Sequence, residues 1–348
     1  MAGERKISAR VLALGAACFL TLASCAARQS AQYGATDPSA TIQPVYVATQ
    51  RDLNRTGQVF GEERPRGLKF FRNDISIPAR HTPGLIEWPK GKKANAATDF
   101  VVTGTKIFTN PAQMKADMGG SGETLVFVHG YNNTLSDAMY RMAQIETDFK
   151  TGMPGVVFSW PSAGDARGYI YDRDSALYSR NDLEDLLKAL TQSPNDKVFL
   201  LAHSMGAHLA METLRQIALR GDQKLMNKIS GVVLMSPDID PDLFRSQART
   251  IGKLPQPFMI FVSQTDRALT AAGLLTGRKQ RLGLIDGPES VEGLDVTVVD
   301  FTALGDGEGL NHMVPVSSPA GVKVLQGMIA NSGRADTFEK YIKLSLDP

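Results

Sequence analysis

Short apolar runs recur along the chain from residue 124 onwards. They are Thr124–His129, Gly155–Trp160, Val198–Ala202, Gly231–Ser236, Phe258–Val262 and Val296–Asp300. Runs of this length, rich in Val, Leu and Phe and free of polar alternation, predict strands buried on both faces. Between them, residues 134–149, 179–191, 205–220 and 317–331 repeat apolar positions at helical spacing. The alternation predicts an α/β fold, a mainly parallel central sheet with helices on both faces. In such sheets the chemistry gathers at the carboxyl ends of the strands. Leu68 to Trp88 behaves differently. It alternates apolar and polar residues and is broken by Pro78, Pro83 and Gly84, which predicts antiparallel strands or a hairpin at a sheet edge. No internal repeat is visible, and the polar tail, 333–348, carries no readable role.

The N-terminus has another pattern. Basic residues precede an apolar run from Val11 to Leu22, which is too short to span a bilayer but suits the core of a secretory signal. Leu22-Ala23-Ser24-Cys25 follows and resembles the lipobox of bacterial lipoproteins. The resemblance implies a signal peptide over 1–24, cleavage before Cys25 and lipid attachment to its sulfur. A plain signal peptide or an uncleaved anchor would share part of this pattern. Residues rich in Ala, Ser, Gln, Thr and Pro then predict a flexible tether over 25–43, ahead of a folded domain over 44–348.

Charge and cysteine content narrow the function classes. The formal net charge is +2, and the signal region accounts for all of it. A neutral remainder without a basic patch argues against nucleic acid as a partner. Cys18 and Cys25 are the two cysteines of the chain. With Cys18 in the signal and Cys25 acylated, the mature domain has no thiol, disulfide or cysteine metal site to offer.

The candidate chemistry centres on Val198-Phe-Leu-Leu-Ala-His-Ser-Met-Gly-Ala207. An apolar strand stops at a serine set between small residues, and a helical pattern begins at once. Strand and helix backbones nearly touch in so sharp a turn, so the positions two before and two after the serine must be small. Ala202 and Gly206 are. This is the nucleophile elbow of the α/β-hydrolase fold, with Ala202 in place of the usual first glycine. An ordinary strand-to-helix turn with a serine N-cap would share the local pattern. A serine hydroxyl needs a histidine base, and the base needs a partner that fixes its tautomer. Of the histidines after Ser204, His208 lies one turn into the elbow helix and points away. His312 sits in a loop after the last main strand, where this fold places its base. Asp266, in the loop after Phe258–Val262, is the first choice of acid, with Asp238 and Asp240 as alternatives. The amides of Met205 and Tyr131 are the candidate oxyanion donors, and Gly130 lets the second approach closely. Trp160, Tyr169, Tyr171 and Tyr178 are candidates for a pocket wall, though aromatics at such spacing also pack surface helices. Asp165, Arg167, Asp172, Arg173 and Asp174 read as a solvated charged face.

Phe127-Val-His-Gly-Tyr-Asn132, Phe158-Ser-Trp-Pro-Ser162, Leu201-Ala-His-Ser-Met-Gly206 and Leu310-Asn-His312 occur in that order. Together they resemble a family of bacterial α/β-hydrolases of uncharacterised function (DUF900-like), often described as lipoproteins or esterases. The resemblance covers roughly residues 95–330. It implies the α/β-hydrolase fold and a Ser204–Asp266–His312 triad, but no substrate. The expectation is a serine hydrolase of carboxylic esters that needs neither cofactor nor metal. It would act on a small-molecule or lipid ester at the periplasmic side of a bacterial membrane. An amidase, peptidase or acyltransferase on the same triad, or a catalytically silent binding lipoprotein, would share the pattern.

Overall fold

In the computed structural model the elbow strand lies at the middle of one ten-stranded sheet. The structure describes residues 29–51, 63–65, 67–120, 122–277, 279–305, 310–331 and 340–344. The signal peptide and Cys25 therefore lie outside the described residues. The strands are β1 (Thr41–Thr49), β2 (Lys69–Ile77), β3 (Val101–Phe108), β4 (Glu123–Val128), β5 (Gly155–Ser159), β6 (Lys197–His203), β7 (Ile229–Met235), β8 (Phe258–Val262), β9 (Thr297–Asp300) and β10 (Tyr341–Lys343). Their order across the sheet is β10-β9-β8-β7-β6-β4-β5-β1-β2-β3. Every pairing from β10 to β1 is parallel. The β1–β2 and β2–β3 pairings are antiparallel.

The helices are α1 (Pro111–Asp117), α2 (Leu135–Phe149), α3 (Tyr169–Tyr178), α4 (Arg180–Leu190), α5 (Met205–Leu219), α6 (Gln223–Met226), α7 (Pro241–Ile251), α8 (Arg267–Leu275), α9 (Val314–Ser317) and α10 (Pro319–Asn331). Successive strand residues point to opposite faces, so each central strand feeds two cores. In β4, Val126 and Val128 join the core under α3, α4, α5 and α7. Leu125 and Phe127 join the one under α2, α9 and α10. This two-sided burial is why the central strands read as unbroken apolar runs.

The N-terminal part departs from expectation. The segment expected to be a tether through residue 43 is already part of the body before it ends. Tyr33 bridges Val102, Gly34 donates to the Val102 carbonyl, Val102 donates to Gln32, and β1 starts at Thr41. One backbone bridge, a few hydrogen bonds from Gln32, Tyr33 and Thr36 and one strand end decide this, and the polar composition of the stretch hides them. Residues 44–94, to which the sequence assigned no role beyond an edge, supply β1 and β2, and β1 pairs in parallel with β5.

Candidate active site

Four loops at the carboxyl ends of β4, β6, β8 and β9 build the site. At the end of β6, Ser204 adopts φ 53° and ψ −121°, a left-handed conformation unusual for a side chain larger than glycine. Strain of this kind costs on the order of 1–3 kcal/mol and persists only where the surroundings enforce it. Two glycines make that possible. A Cβ on Gly206 would lie 2.3 Å from the His129 carbonyl oxygen. One on Gly130 would lie 2.8 Å from both the Ser204 Cβ and the His203 Nδ1. Ala202 is fully buried in the core and meets the small-residue requirement on the strand side. The Ser204 amide donates to Met235, and the Ser204 carbonyl accepts from Asp238, so the elbow is tied to the end of β7.

Asp266 and His312 come together across 46 residues. His312 Nδ1 lies 2.6 Å from Asp266 Oδ2. The other carboxylate oxygen accepts the Leu269 amide at 2.9 Å, which makes Asp266 the N-cap of α8. A fully buried carboxylate is thus held at both oxygens, one by a helix start and one by the imidazole. His203, beside the serine, donates from Nε2 to the His312 carbonyl at 3.1 Å, with ring centroids 4.5 Å apart. It anchors the His312 loop to the elbow. Sequence reasoning missed it, since the position before the serine carries no motif requirement. Burial first, and the neighbouring His312 second, push the His203 ring well below the usual histidine range. Among the described residues no hydrogen bond joins Ser204 Oγ to His312.

The alternative acids are occupied elsewhere. Asp238 forms an ion pair with Arg281 Nε at 2.9 Å and accepts from the Tyr169 hydroxyl at 2.8 Å. Asp240 caps α7, accepting from Asp242 and Leu243. Neither is bonded to His312.

The loop after β4 carries Tyr131, and Met205 opens α5, where its amide has no carbonyl four residues back to bond. The fully buried His129 lies under that loop. Burial, reinforced by the charge of Arg51, lowers its pKa to about 3 and keeps the ring neutral. Trp160 stacks on it at 4.9 Å and donates from Nε1 to the His129 carbonyl. Trp160 is therefore a fully buried support, and its expected place in a pocket wall is corrected. Tyr171 and Tyr178 are likewise drawn away from a pocket. The Arg64 guanidinium lies 4.3 Å over the Tyr171 ring, and the Tyr178 hydroxyl donates to the Arg64 carbonyl. Together they hold the 63–65 segment on α3. Tyr169 alone of the four stays beside the site, edge-on to Tyr131 at 5.3 Å.

Asp172 departs from the expected solvated charged face, on which Arg167, Arg173 and Asp174 remain exposed. It is fully buried and accepts from the Asn132 and Ala163 amides and the Ser162 hydroxyl. Burial raises its pKa, and these donors act against the rise. Tyr169, Asp172 and Ala176 share one face of α3, a spacing that marks the buried side in hindsight.

Comparisons with known proteins bear on this architecture. Residues 110–331 match the model of a family described as an α/β hydrolase of unknown function (DUF900). An uncharacterised protein of Nostoc is 38% identical over 63 residues, which cover 18% of this chain and 16% of that protein. The chain thus matches about a sixth of the length of that relative. Among solved structures, a dienelactone hydrolase from Anabaena variabilis is 13% identical, with 84% of this chain and 96% of that one covered and a TM-score of 0.39. An esterase from Pyrobaculum calidifontis is 12% identical, with 85% and 87% covered and a TM-score of 0.39. A CIB-like hydrolase from Thermoplasma acidophilum is 14% identical, with 84% and 99% covered and a TM-score of 0.38. At these scores the three remain resemblances. The family model spans well over half of the chain and includes the elbow, the Asp266 loop and the His312 loop, so the chain belongs to the α/β-hydrolase family of unknown function that it describes.

Proposed function

We propose that this protein is a serine hydrolase of carboxylic esters. The observation that carries the reading is the 2.6 Å bond from His312 Nδ1 to buried Asp266, set on the same loop cluster as a strained Ser204. An Asp-bound Nδ1 fixes the tautomer that leaves Nε2 as the base. His312 Nε2 takes the Ser204 proton as Oγ attacks the ester carbonyl. The tetrahedral oxyanion is met by the Met205 and Tyr131 amides. Collapse expels the alcohol, which takes the proton from His312, and leaves an acyl-enzyme on Ser204. Water, deprotonated by His312, then releases the acid and restores the serine. The serine–histidine bond closes in the substrate complex, where such contacts tighten.

His129 and His203, both held neutral by burial, support this division of labour. They are suited to hold backbone in place and ill suited to exchange protons near neutral pH. The anchor read at Cys25 would place the reaction at the periplasmic surface of a bacterial membrane. Stable attachment there needs more than one acyl chain.

The test is Ser204→Ala measured with a fluorophosphonate probe and with parallel ester, amide and alcohol-acceptor assays. Loss of labelling and of ester turnover in a folded variant is expected. Labelling that survives the substitution refutes the nucleophile, and amide turnover exceeding ester turnover refutes the ester assignment. A Cys25→Ser variant should lose its lipid label; unchanged labelling refutes the anchor.

A further inference from the structure

Arg51 sits beneath both loops flanking the candidate oxyanion site and donates to each. It lies two residues after β1, in a part of the chain that precedes the family-matched segment, and only 2% of it is exposed. Its Nη2 donates to the Asn133 carbonyl at 2.8 Å, in the loop after β4. Its Nη1 donates to the Ser162 carbonyl at 2.8 Å and its Nε to Ser159 Oγ at 3.1 Å, both in the segment that ends β5. Asp172 grips the same two segments from α3, through Asn132 on one side and Ser162 and Ala163 on the other. Asn132 between them is held at φ 57°.

Burying a guanidinium and a carboxylate is costly unless hydrogen bonds and opposite charge compensate. Here both are bonded mainly to the backbone of two loops, with the Ser159 and Ser162 hydroxyls as the side-chain partners. Gly130 to Asn133 must hold a turn against the elbow, with Asn132 in the left-handed region. The peptide they aim is that of Tyr131.

We propose that Arg51 is a positioning residue for the oxyanion hole. It fixes the Tyr131 amide by clamping the carbonyl two residues on to the end of β5, with Asp172 as its counterpart. The N-terminal strands are then part of the catalytic machinery and not only an extension of the sheet. This inference rests on the serine-hydrolase reading.

A fork with three donors in one plane is what lets Arg51 reach three acceptors on two segments, and lysine cannot reproduce it. The experiment compares wild type, Arg51→Lys and Arg51→Met below their melting temperatures. It reads the second-order rate at which a fluorophosphonate labels Ser204, and kcat and KM on p-nitrophenyl butyrate. Misplacing one oxyanion donor should lower both the labelling rate and kcat by about 10–100-fold in Arg51→Met, short of the ~100–1000-fold loss of a donor removed outright. Arg51→Lys should fall between, with KM within about twofold of wild type because ground-state binding is untouched. The pH profile of kcat/KM should keep its wild-type shape. Labelling at the wild-type rate in a folded Arg51→Met overturns the proposal. Should that variant not fold, a wild-type labelling rate in Arg51→Lys overturns it. Wild type that is not labelled at Ser204 overturns the serine-hydrolase reading together with the proposal. Labelling without ester turnover overturns the ester assignment alone and leaves the Arg51 comparison to the labelling rates.

Discussion

At the scale of single residues, the elbow depends on volumes smaller than a methyl group. A methyl at position 206 would have to displace the His129 and Val128 carbonyls, which lie within 2.5 Å of its place. Gly206→Ala should therefore lower stability by about 1–3 kcal/mol and shift the loop that carries Tyr131. The check is a urea titration beside a labelling assay, with loss of both expected. Ala202→Gly should behave in the opposite sense for catalysis. It keeps full activity, because alanine already satisfies the turn, and loses roughly 0.5–1 kcal/mol as a glycine inside a strand. Asp266→Asn leaves α8 with an oxygen cap but presents the wrong partner to His312. By analogy with the serine-protease case, ester turnover should fall by about four orders of magnitude with little change in the melting curve. Ser204, His312 and Asp266 were legible in the sequence because the elbow imposes small neighbours and the fold imposes chain order. Trp160 and Asp172 were misread because burial of a single side chain after a strand end is a tertiary outcome that composition cannot carry.

Helices and strands show the same limit from another side. The long central elements were readable, since two-sided burial writes itself as continuous apolar sequence. Helices α1, α3, α6, α7, α8 and α9 were not: α1, α6 and α9 are too short to show a period, whereas α7 buries Phe244, Gln247, Ala248 and Ile251 at helical spacing, a pattern present in the sequence but not among the helical runs. Within α2 two carboxylates two residues apart are driven in opposite directions. Burial raises Glu146 to about 8, with the Gly155 amide and Gln43 acting against the rise. Asp148 also suffers burial, but His81, Gln144 and the Gly84 amide overcome it and lower its pKa. Burial likewise disfavours the charged His81 ring, yet Asp148 and Glu87 outweigh it and raise its pKa to about 9.

The folded pKa of His81 lies above its unfolded value. Its stabilisation is complete below about pH 6.5 and is lost as pH rises through about 9. His81→Gln should therefore melt lower than wild type at pH 6, with the gap closing above pH 9. Glu146 also holds its proton longer when folded, so the unfolded state ionises first and stability falls as pH climbs from about 4.5 towards 8. Glu146→Gln, which keeps an acceptor for the Gly155 amide, should melt higher than wild type at pH 7.5 and equal to it below pH 4. A scanning-fluorimetry series across pH checks both variants, and a pH-independent gap would contradict either assignment.

For the molecule as a whole, the family-matched segment is not a self-sufficient body. Removing everything before residue 110 strips β1 from β5 and with it Val45, Val47 and Ala48, all fully buried. The shortened chain should be recovered insoluble, and if it were soluble and labelled by the probe at the wild-type rate the integral role of the N-terminal strands would be wrong. The sequence indicated a sheet and an antiparallel border, but not that the border joins at β5 and delivers Arg51 under the loops of the candidate site. Register between strands far apart in sequence is settled by packing alone.

The small bridge of residues 32–34 on Val102 has a consequence for how the protein behaves in a test tube. β3 is the last strand on its side, and it carries an Ile107 that is 75% exposed. An open border strand is a template for a second molecule, and proteins cover or interrupt such borders. Gln32 and Gly34 occupy the main-chain groups of Val102 at its start. A preparation trimmed to begin at Val45 would lose that cover together with the first residues of β1. Its shelf life, read as light scattering over days at fixed concentration, should shorten well before its activity per folded molecule declines.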